Sequence, residues 1–248
     1  MSGGGEDGGG GGTPGEPDGG MLSSILKPHI TPGEATSQQP STRLASTWLS
    51  VKYAAMTMGR SVGIGTTGFT LASLAAYSVW AFGGRALYGL VGEKGLYAAC
   101  AVVFVVLGSF LLRPLTAQPL RKFGTIFTTA FLAYAVAWCA FWFGVGGRTG
   151  EWLGSLAGSA AFCVVLSAWL KAWRELLLCT TVLFIAHSAG YFAGSWSYFQ
   201  LRREHAVVAA LAWGFFYGLG MGAGLGFAFH QMRGGTGNEA AKATPIPL

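Results

Sequence analysis

Six apolar stretches of about membrane-spanning length follow one another between Ser61 and Gln231. A helix of about 20 apolar residues crosses the hydrocarbon core of a bilayer, and each stretch meets or nearly meets that length. They cover 61–82, 95–112, 124–145, 152–170, 176–196 and 206–231. The chain is therefore predicted to be an all-α integral membrane protein, folded as a bundle of six transmembrane helices.

Charged residues are few, and they lie outside these stretches. Asp, Glu, Lys and Arg make up 10% of the chain, whereas a soluble domain usually has about 25%. Charges inside membrane helices mark ion paths, proton relays and voltage sensors, so their absence from the stretches argues against those mechanisms. The net charge is +6. The basic residues flank the stretches instead of clustering on one face, which argues against a nucleic-acid partner.

The basic residues also predict how the chain crosses the membrane. One side of the predicted bundle takes eleven of them: Lys27, Arg43, Lys52, Arg60, Arg113, Arg121, Lys122, Lys171, Arg174, Arg233 and Lys242. The other side takes five: Arg85, Lys94, Arg148, Arg202 and Arg203. Because basic loops stay in the cytoplasm, both termini are predicted to be cytoplasmic in a multi-pass protein of the cell membrane.

Tryptophans at the ends of the stretches agree with this topology. Trp80, Trp142, Trp152 and Trp196 fall at the predicted outer ends, and Trp169 and Trp173 fall at the inner side. Tryptophan has an apolar ring with one polar N–H group, and it is enriched where the hydrocarbon core of a membrane meets the lipid headgroups. We therefore predict two tryptophan belts at the membrane surfaces.

The segments outside the membrane domain (61–231) differ from it in composition. Residues 1–40 are rich in Gly and Pro, and they are predicted to be a disordered cytoplasmic tail because they cannot bury enough apolar surface. Residues 41–60 have apolar side chains at helical spacing, which predicts a juxtamembrane amphipathic helix. That helix lies either on the lipid surface or as an extension of the first span. Residues 232–248 are predicted to form a short cytoplasmic tail.

Glycines recur at a spacing of four in three of the stretches. They are Gly214, Gly218, Gly222 and Gly226 in the sixth, Gly190 and Gly194 in the fifth, and Gly154 and Gly158 in the fourth. In lipid, such small residues let helix backbones approach closely. This glycine zipper is predicted to pack helices within one chain, between protomers of a homo-oligomer, or against another membrane protein.

One histidine, His187, lies well inside a stretch. Ser188, Tyr191, Thr180 and Thr181 make the same stretch polar along one side, so these five residues are predicted to form a candidate intramembrane polar site. A histidine in such a helix usually bonds to a neighbouring helix, and the alternatives are a solute path or catalysis. The cysteines and histidines lack the spacing of metal ligands, and neither a metal nor a cofactor is predicted.

The nine residues Ala186 to Gly194 read Ala-His-x-x-Gly-x-x-x-Gly. This string resembles the histidine helix of rhomboid intramembrane serine proteases, which are also built on six core spans. The resemblance implies intramembrane proteolysis. The family's Gly-x-Ser-Gly nucleophile would be expected in 124–145, and that stretch contains no such string.

Three functions are compatible with these features. The leading prediction is a non-enzymatic structural or accessory component, which packs through its glycine-rich helix faces in the lipid bilayer. The alternative is a small transporter or channel for a neutral or weakly polar solute, suggested by His187 and the hydroxyl groups in the stretches. The third is a membrane-embedded enzyme that uses His187. No catalytic residue is assigned.

Overall fold

A computed structural model describes residues 56–242 of the protein, with side chains described for residues 56–233. The described part is all-helical, and its long helices are α1 (Met58–Leu111), α2 (Leu120–Gly144), α3 (Gly147–Leu170), α4 (Leu176–Leu201) and α5 (Ala206–Lys242). Short 3-10 turns at Arg113–Leu115 and Trp173–Glu175 precede α2 and α4. The predicted tail 1–40 and most of the predicted juxtamembrane helix 41–60 lie outside the described residues.

The prediction of an all-α fold is confirmed for the described residues, which form five long helices where six were predicted. All five are long and apolar enough to cross a membrane. The difference arises in α1, whose 54 residues contain both of the first two stretches, 61–82 and 95–112. A straight helix of that length would be about 80 Å long, well over twice the thickness of a bilayer core.

A break at Gly92 divides α1. Its φ of 67° and ψ of −175° leave the helical region and lie where essentially only glycine is found. We call residues 58–91 the first arm and residues 93–111 the second arm. The chain reverses there, so the two arms can lie in one bundle.

Sequential elements run antiparallel, so the connections alternate between two ends of the bundle. At one end, Arg233 near the end of the described side chains donates to the Leu115 carbonyl at 3.2 Å. At the other end, the Trp80 and Tyr198 rings lie 5.3 Å apart, close to the break at Gly92. We call these the Arg113 end and the Glu93 end.

Glycines bring α5 into close contact with the first arm of α1. A Cβ atom placed on Gly222 would lie 2.5 Å from the Gly65 carbonyl oxygen, and one on Gly226 would lie 2.5 Å from the Ser61 carbonyl oxygen. The same stripe continues through Gly218 and Gly214, where the Ser73 hydroxyl donates to the Gly214 carbonyl at 2.6 Å. Only glycine fits along this interface.

The other predicted glycines lie at two further contacts inside the chain. Gly190 and Gly194 of α4 face α5, where a Cβ atom on Gly194 would lie 2.9 Å from the Trp213 carbonyl oxygen. Gly154 and Gly158 of α3 face α2, where a Cβ atom on Gly158 would lie 2.7 Å from the Tyr134 ring. All eight predicted packing glycines therefore contact helices of the same chain.

Phenylalanine rings fill the half of the bundle towards the Arg113 end. Phe123, Phe127, Phe162 and Phe229 are fully buried, and Phe131 continues the group, with its ring centroid 5.8 Å from that of Phe127. We call these five residues the phenylalanine layer. Aromatic rings at such distances attract one another, and this attraction adds to the stabilisation from burying apolar area. The phenylalanine layer therefore packs this half of the bundle tightly.

Candidate functional site

A cavity of about 480 Å³ lies between the two arms of α1 and helices α2, α4 and α5, towards the Glu93 end. From α1 it is lined by Tyr77, Trp80, Tyr88, Glu93, Leu96, Tyr97, Cys100 and Phe104, and from the other helices by Trp138, Trp142, Tyr191, Tyr198 and Trp213. A second cavity of about 410 Å³ shares six of these residues. Together we call them the aromatic cavity. Ligand pockets usually have volumes of about 300–1,000 Å³.

Helical spacing explains why each helix presents several rings to one space. In the second arm, Glu93, Tyr97, Cys100 and Phe104 follow one another at intervals of four, three and four residues, which places them on one helical face. The break at Gly92 turns that face towards the first arm. Tyr88 and Tyr97 are 59% and 44% exposed, and they mark the mouth of the cavity.

The rings of the lining support one another. The Trp80 and Trp213 centroids are 5.9 Å apart, and those of Trp213 and Tyr191 are 5.7 Å apart. Tyr191 in turn lies 5.8 Å from Trp138. These distances are in the attractive range for aromatic pairs. The wall is therefore a continuous set of rings drawn from α1, α2, α4 and α5, preformed before any ligand enters.

A polar cluster lies at the floor of the aromatic cavity. The fully buried His187 places its Nε2 atom 2.7 Å from the Tyr134 hydroxyl, which is 3.2 Å from the Tyr217 hydroxyl. Tyr134 and Tyr217 both line the second cavity. The His187 Nδ1 atom has no hydrogen-bond partner among the described residues. The cluster joins α2, α4 and α5 and gives the otherwise apolar floor groups that can donate or accept hydrogen bonds.

Tyr191 is the other predicted polar residue that reaches this site. It is 4% exposed and lines the aromatic cavity. Its hydroxyl donates to the Glu151 carboxylate at 3.5 Å, and Glu151 also pairs with Arg148 at 3.4 Å. The Tyr191 side chain thus links the cavity wall to a charged pair at the Glu93 end.

The remaining predicted polar residues lie elsewhere on α4. Thr180 lies beside Cys163 of α3, and the hydroxyl of the buried Ser188 has no hydrogen-bond partner among the described residues. Thr181 is exposed and donates to the Leu177 carbonyl at 2.9 Å. The structure therefore brings His187 and Tyr191 to one site and leaves the other three residues outside it.

Sequence reasoning missed most of the cavity lining. Trp80 and Trp142 are predicted to belong to the outer tryptophan belt, whereas both line the cavity. The other two tryptophans of that belt, Trp152 and Trp196, are 44% and 66% exposed. One feature of the sequence could have indicated the cavity. Trp80, Trp142 and Trp213 all lie in the half of their stretches that faces the same predicted side of the membrane. This placement could have suggested a shared layer of rings, but not that the layer surrounds a space.

The residues that resemble the rhomboid histidine helix do not bring a serine to His187. Its Nε2 atom bonds to a tyrosine hydroxyl, and neither ring nitrogen has a serine partner in the part of the chain that the structure describes. Within the same residues, no three His, Cys, Asp or Glu side chains are grouped so that they could hold a metal ion. Comparisons of the chain with family models, curated proteins and solved structures found no match.

Proposed function

We propose that the two arms of α1 are separate membrane spans, so that the chain crosses the cell membrane six times with both termini in the cytoplasm. The second arm is about 28 Å long at 1.5 Å per residue, close to the thickness of a bilayer core. It carries Val102, Val106 and Phe110, which are 61%, 47% and 59% exposed. Such an exposed apolar surface is more stable in contact with lipid than in contact with water. The charge distribution of the connections supports the orientation.

Cysteine labelling in intact cells tests this topology. With six spans, Ala117→Cys should react with a membrane-impermeant maleimide from the same side as Gly59→Cys, and Glu204→Cys from the opposite side. If α1 crossed only once, Ala117 and Glu204 would exchange sides relative to Gly59. The unmodified protein is the control, since its four cysteines, Cys100, Cys139, Cys163 and Cys179, all lie within helices.

We further propose that the protein binds a small organic solute in the aromatic cavity and carries it across the membrane. The observation that carries this proposal is a ring-lined space whose floor has the hydroxyls of Tyr134 and Tyr217, with His187 hydrogen-bonded to Tyr134 behind it. Such a space, mostly apolar with a few converging polar groups, is typical of small-molecule sites. Phe131 of the phenylalanine layer lines the cavity and the other four rings lie beyond it, so the solute would leave only after these rings move apart.

Filling the cavity tests this function directly. Cys100 lines both parts of the aromatic cavity, and its thiol donates to the Ala76 carbonyl at 3.4 Å. Cys100→Phe should reduce uptake of a transported solute into proteoliposomes at least tenfold, because the ring occupies the space. Cys100→Ser keeps the size and the hydrogen bond, and it should retain wild-type uptake. Absence of uptake for every small organic solute tried, neutral or cationic, would overturn the transport proposal.

The accessory role predicted from the glycine faces is the second proposal. Its support is narrower than the sequence suggested, because those glycines are covered by helices of the same chain. Exposed apolar side chains such as Leu90 and Leu177, 80% and 78% exposed, are the surfaces on which it would depend. Gentle detergent extraction with measurement of particle mass distinguishes the accessory role from transport. A defined larger complex favours the accessory role, and a lone chain or a small homo-oligomer favours transport.

An enzymatic role of His187 stays a third prediction. Its hydrogen-bond partner in the described structure is the Tyr134 hydroxyl, whereas the nucleophile that a histidine base activates is typically a serine or a cysteine. The same proteoliposomes, analysed for chemical change of the solute, test this role.

A further inference from the structure

We infer that the solute of the aromatic cavity is an organic cation, such as a quaternary ammonium or protonated amine group with apolar substituents. The inference rests on the proposed function, since it assigns a charge to the ligand of the same cavity. Ten of the thirteen residues that line the larger cavity are aromatic. Ring faces are negative and attract cations within about 6 Å of the centroid, most strongly when water is excluded.

The protein's own cations already use rings at this end of the bundle. The Arg148 guanidinium carbon lies 4.5 Å from the Phe192 centroid, and that of Arg202 lies 4.7 Å from Phe199. Arg202 also approaches Tyr198 at the cavity mouth, at 6.0 Å. Among the described residues, the other lining rings make no such contact with a protein cation. The rings at this end of the bundle therefore suit contact with a cation.

Glu93 adds a negative charge to the lining. It is exposed at the start of the second arm and is the carboxylate among the residues that line the larger cavity. From the sequence alone, Glu93 belongs to a connection, and the expected solute is neutral or weakly polar because of His187 and the hydroxyl groups in the stretches. The break at Gly92 brings this connection to the cavity, which is why the expected charge of the solute changes.

Lys94 is an opposing charge in the lining itself, since it lines the second cavity, and Arg202 lies beside the lining ring of Tyr198. Glu93 and Lys94 are neighbours in the chain and both are exposed. Replacing Glu93 or Lys94 with glutamine should disturb the fold little, and to the same extent. Their effects on a cationic ligand should have opposite signs, and this makes them a matched pair.

The test uses the full chain in lipid nanodiscs and two probes of the same shape. Choline carries a positive nitrogen where 3,3-dimethylbutan-1-ol has a neutral carbon. By titration calorimetry, choline should bind at least about tenfold more tightly, the ratio expected for a desolvated cation on aromatic faces. Glu93→Gln should weaken choline binding about two- to fivefold and Lys94→Gln should strengthen it by a similar factor. Glu204→Gln, an exposed change outside the lining, should leave it unchanged.

Equal affinity for the two probes would overturn the inference, as would absence of choline binding or a change of the same sign in both glutamine variants. These failures are distinct from failure of the proposed function. If the neutral alcohol binds and Cys100→Phe prevents its binding, the cavity is still the solute site and only the assigned charge is wrong. If neither probe binds, the cation assignment falls, and solute uptake with Cys100→Phe decides the proposed function separately.

Discussion

Replacing Gly222 with alanine is expected to lower the free energy of unfolding by about 1–3 kcal/mol, the usual cost of overfilling a packed interior. The added Cβ atom would lie 2.5 Å from the Gly65 carbonyl oxygen and 2.8 Å from the Thr66 Cα atom. Both are backbone atoms, so the helices would have to separate along the whole α1–α5 interface. Gly222→Leu should prevent that interface from forming. Unfolding in detergent followed by circular dichroism measures the effect.

Gly63→Ala is the matched control, because it adds the same methyl group to the same pair of helices. Gly63 is exposed in α1, and a Cβ atom there would meet nothing within 4 Å. Alanine is the better helix former by up to about 1 kcal/mol, so this variant should be as stable as the wild type or slightly more stable. Equal stability of Gly222→Ala and Gly63→Ala would contradict close packing of α1 on α5.

His187→Ala is expected to lower the free energy of unfolding by about 2–5 kcal/mol, the range for truncating a large buried side chain. The imidazole is fully buried, and its centroid lies 5.4 Å from that of Tyr217 and 5.5 Å from that of Tyr134. Most of the loss should come from this packing, since hydrogen bonds between membrane helices contribute only about 0.6 kcal/mol on average. Unfolding in detergent followed by circular dichroism measures this loss of stability as well.

Two further substitutions separate packing from hydrogen bonding. His187→Phe keeps an aromatic ring, slightly larger than the imidazole, and removes the bond to Tyr134, so it should cost less than His187→Ala, about 1–2 kcal/mol. His205→Ala changes an exposed histidine in the connection before α5 and should leave stability within about 0.5 kcal/mol of the wild type. Wild-type stability of His187→Ala would show that the polar cluster does not join α2, α4 and α5 as described.

The helices after the first one were largely predictable. The stretches 124–145 and 152–170 correspond to Leu120–Gly144 and Gly147–Leu170, and 206 begins both the sixth stretch and α5. Apolar length and helical spacing are properties of neighbouring residues, and they can be recognised without knowing the partner helix. The same holds for the glycine faces: their spacing indicates close approach, while the helix that approaches them is set by contacts distant in sequence.

An all-helical chain with long apolar helices, glycine-rich faces and a histidine within one of the helices could therefore be predicted from the order of residues alone. The packing of α5 on α1 and α4, the contact of Tyr134 and Tyr217 with His187, and the place of Glu93 in a ring-lined cavity follow from contacts between distant parts of the chain. A helix forms from bonds between residues four apart, whereas the aromatic cavity arises from four helices whose lining residues span positions 77 to 217. Such a space depends on how the helices are turned against one another, through the break at Gly92 and the close approach allowed by the glycines, and no local pattern encodes it.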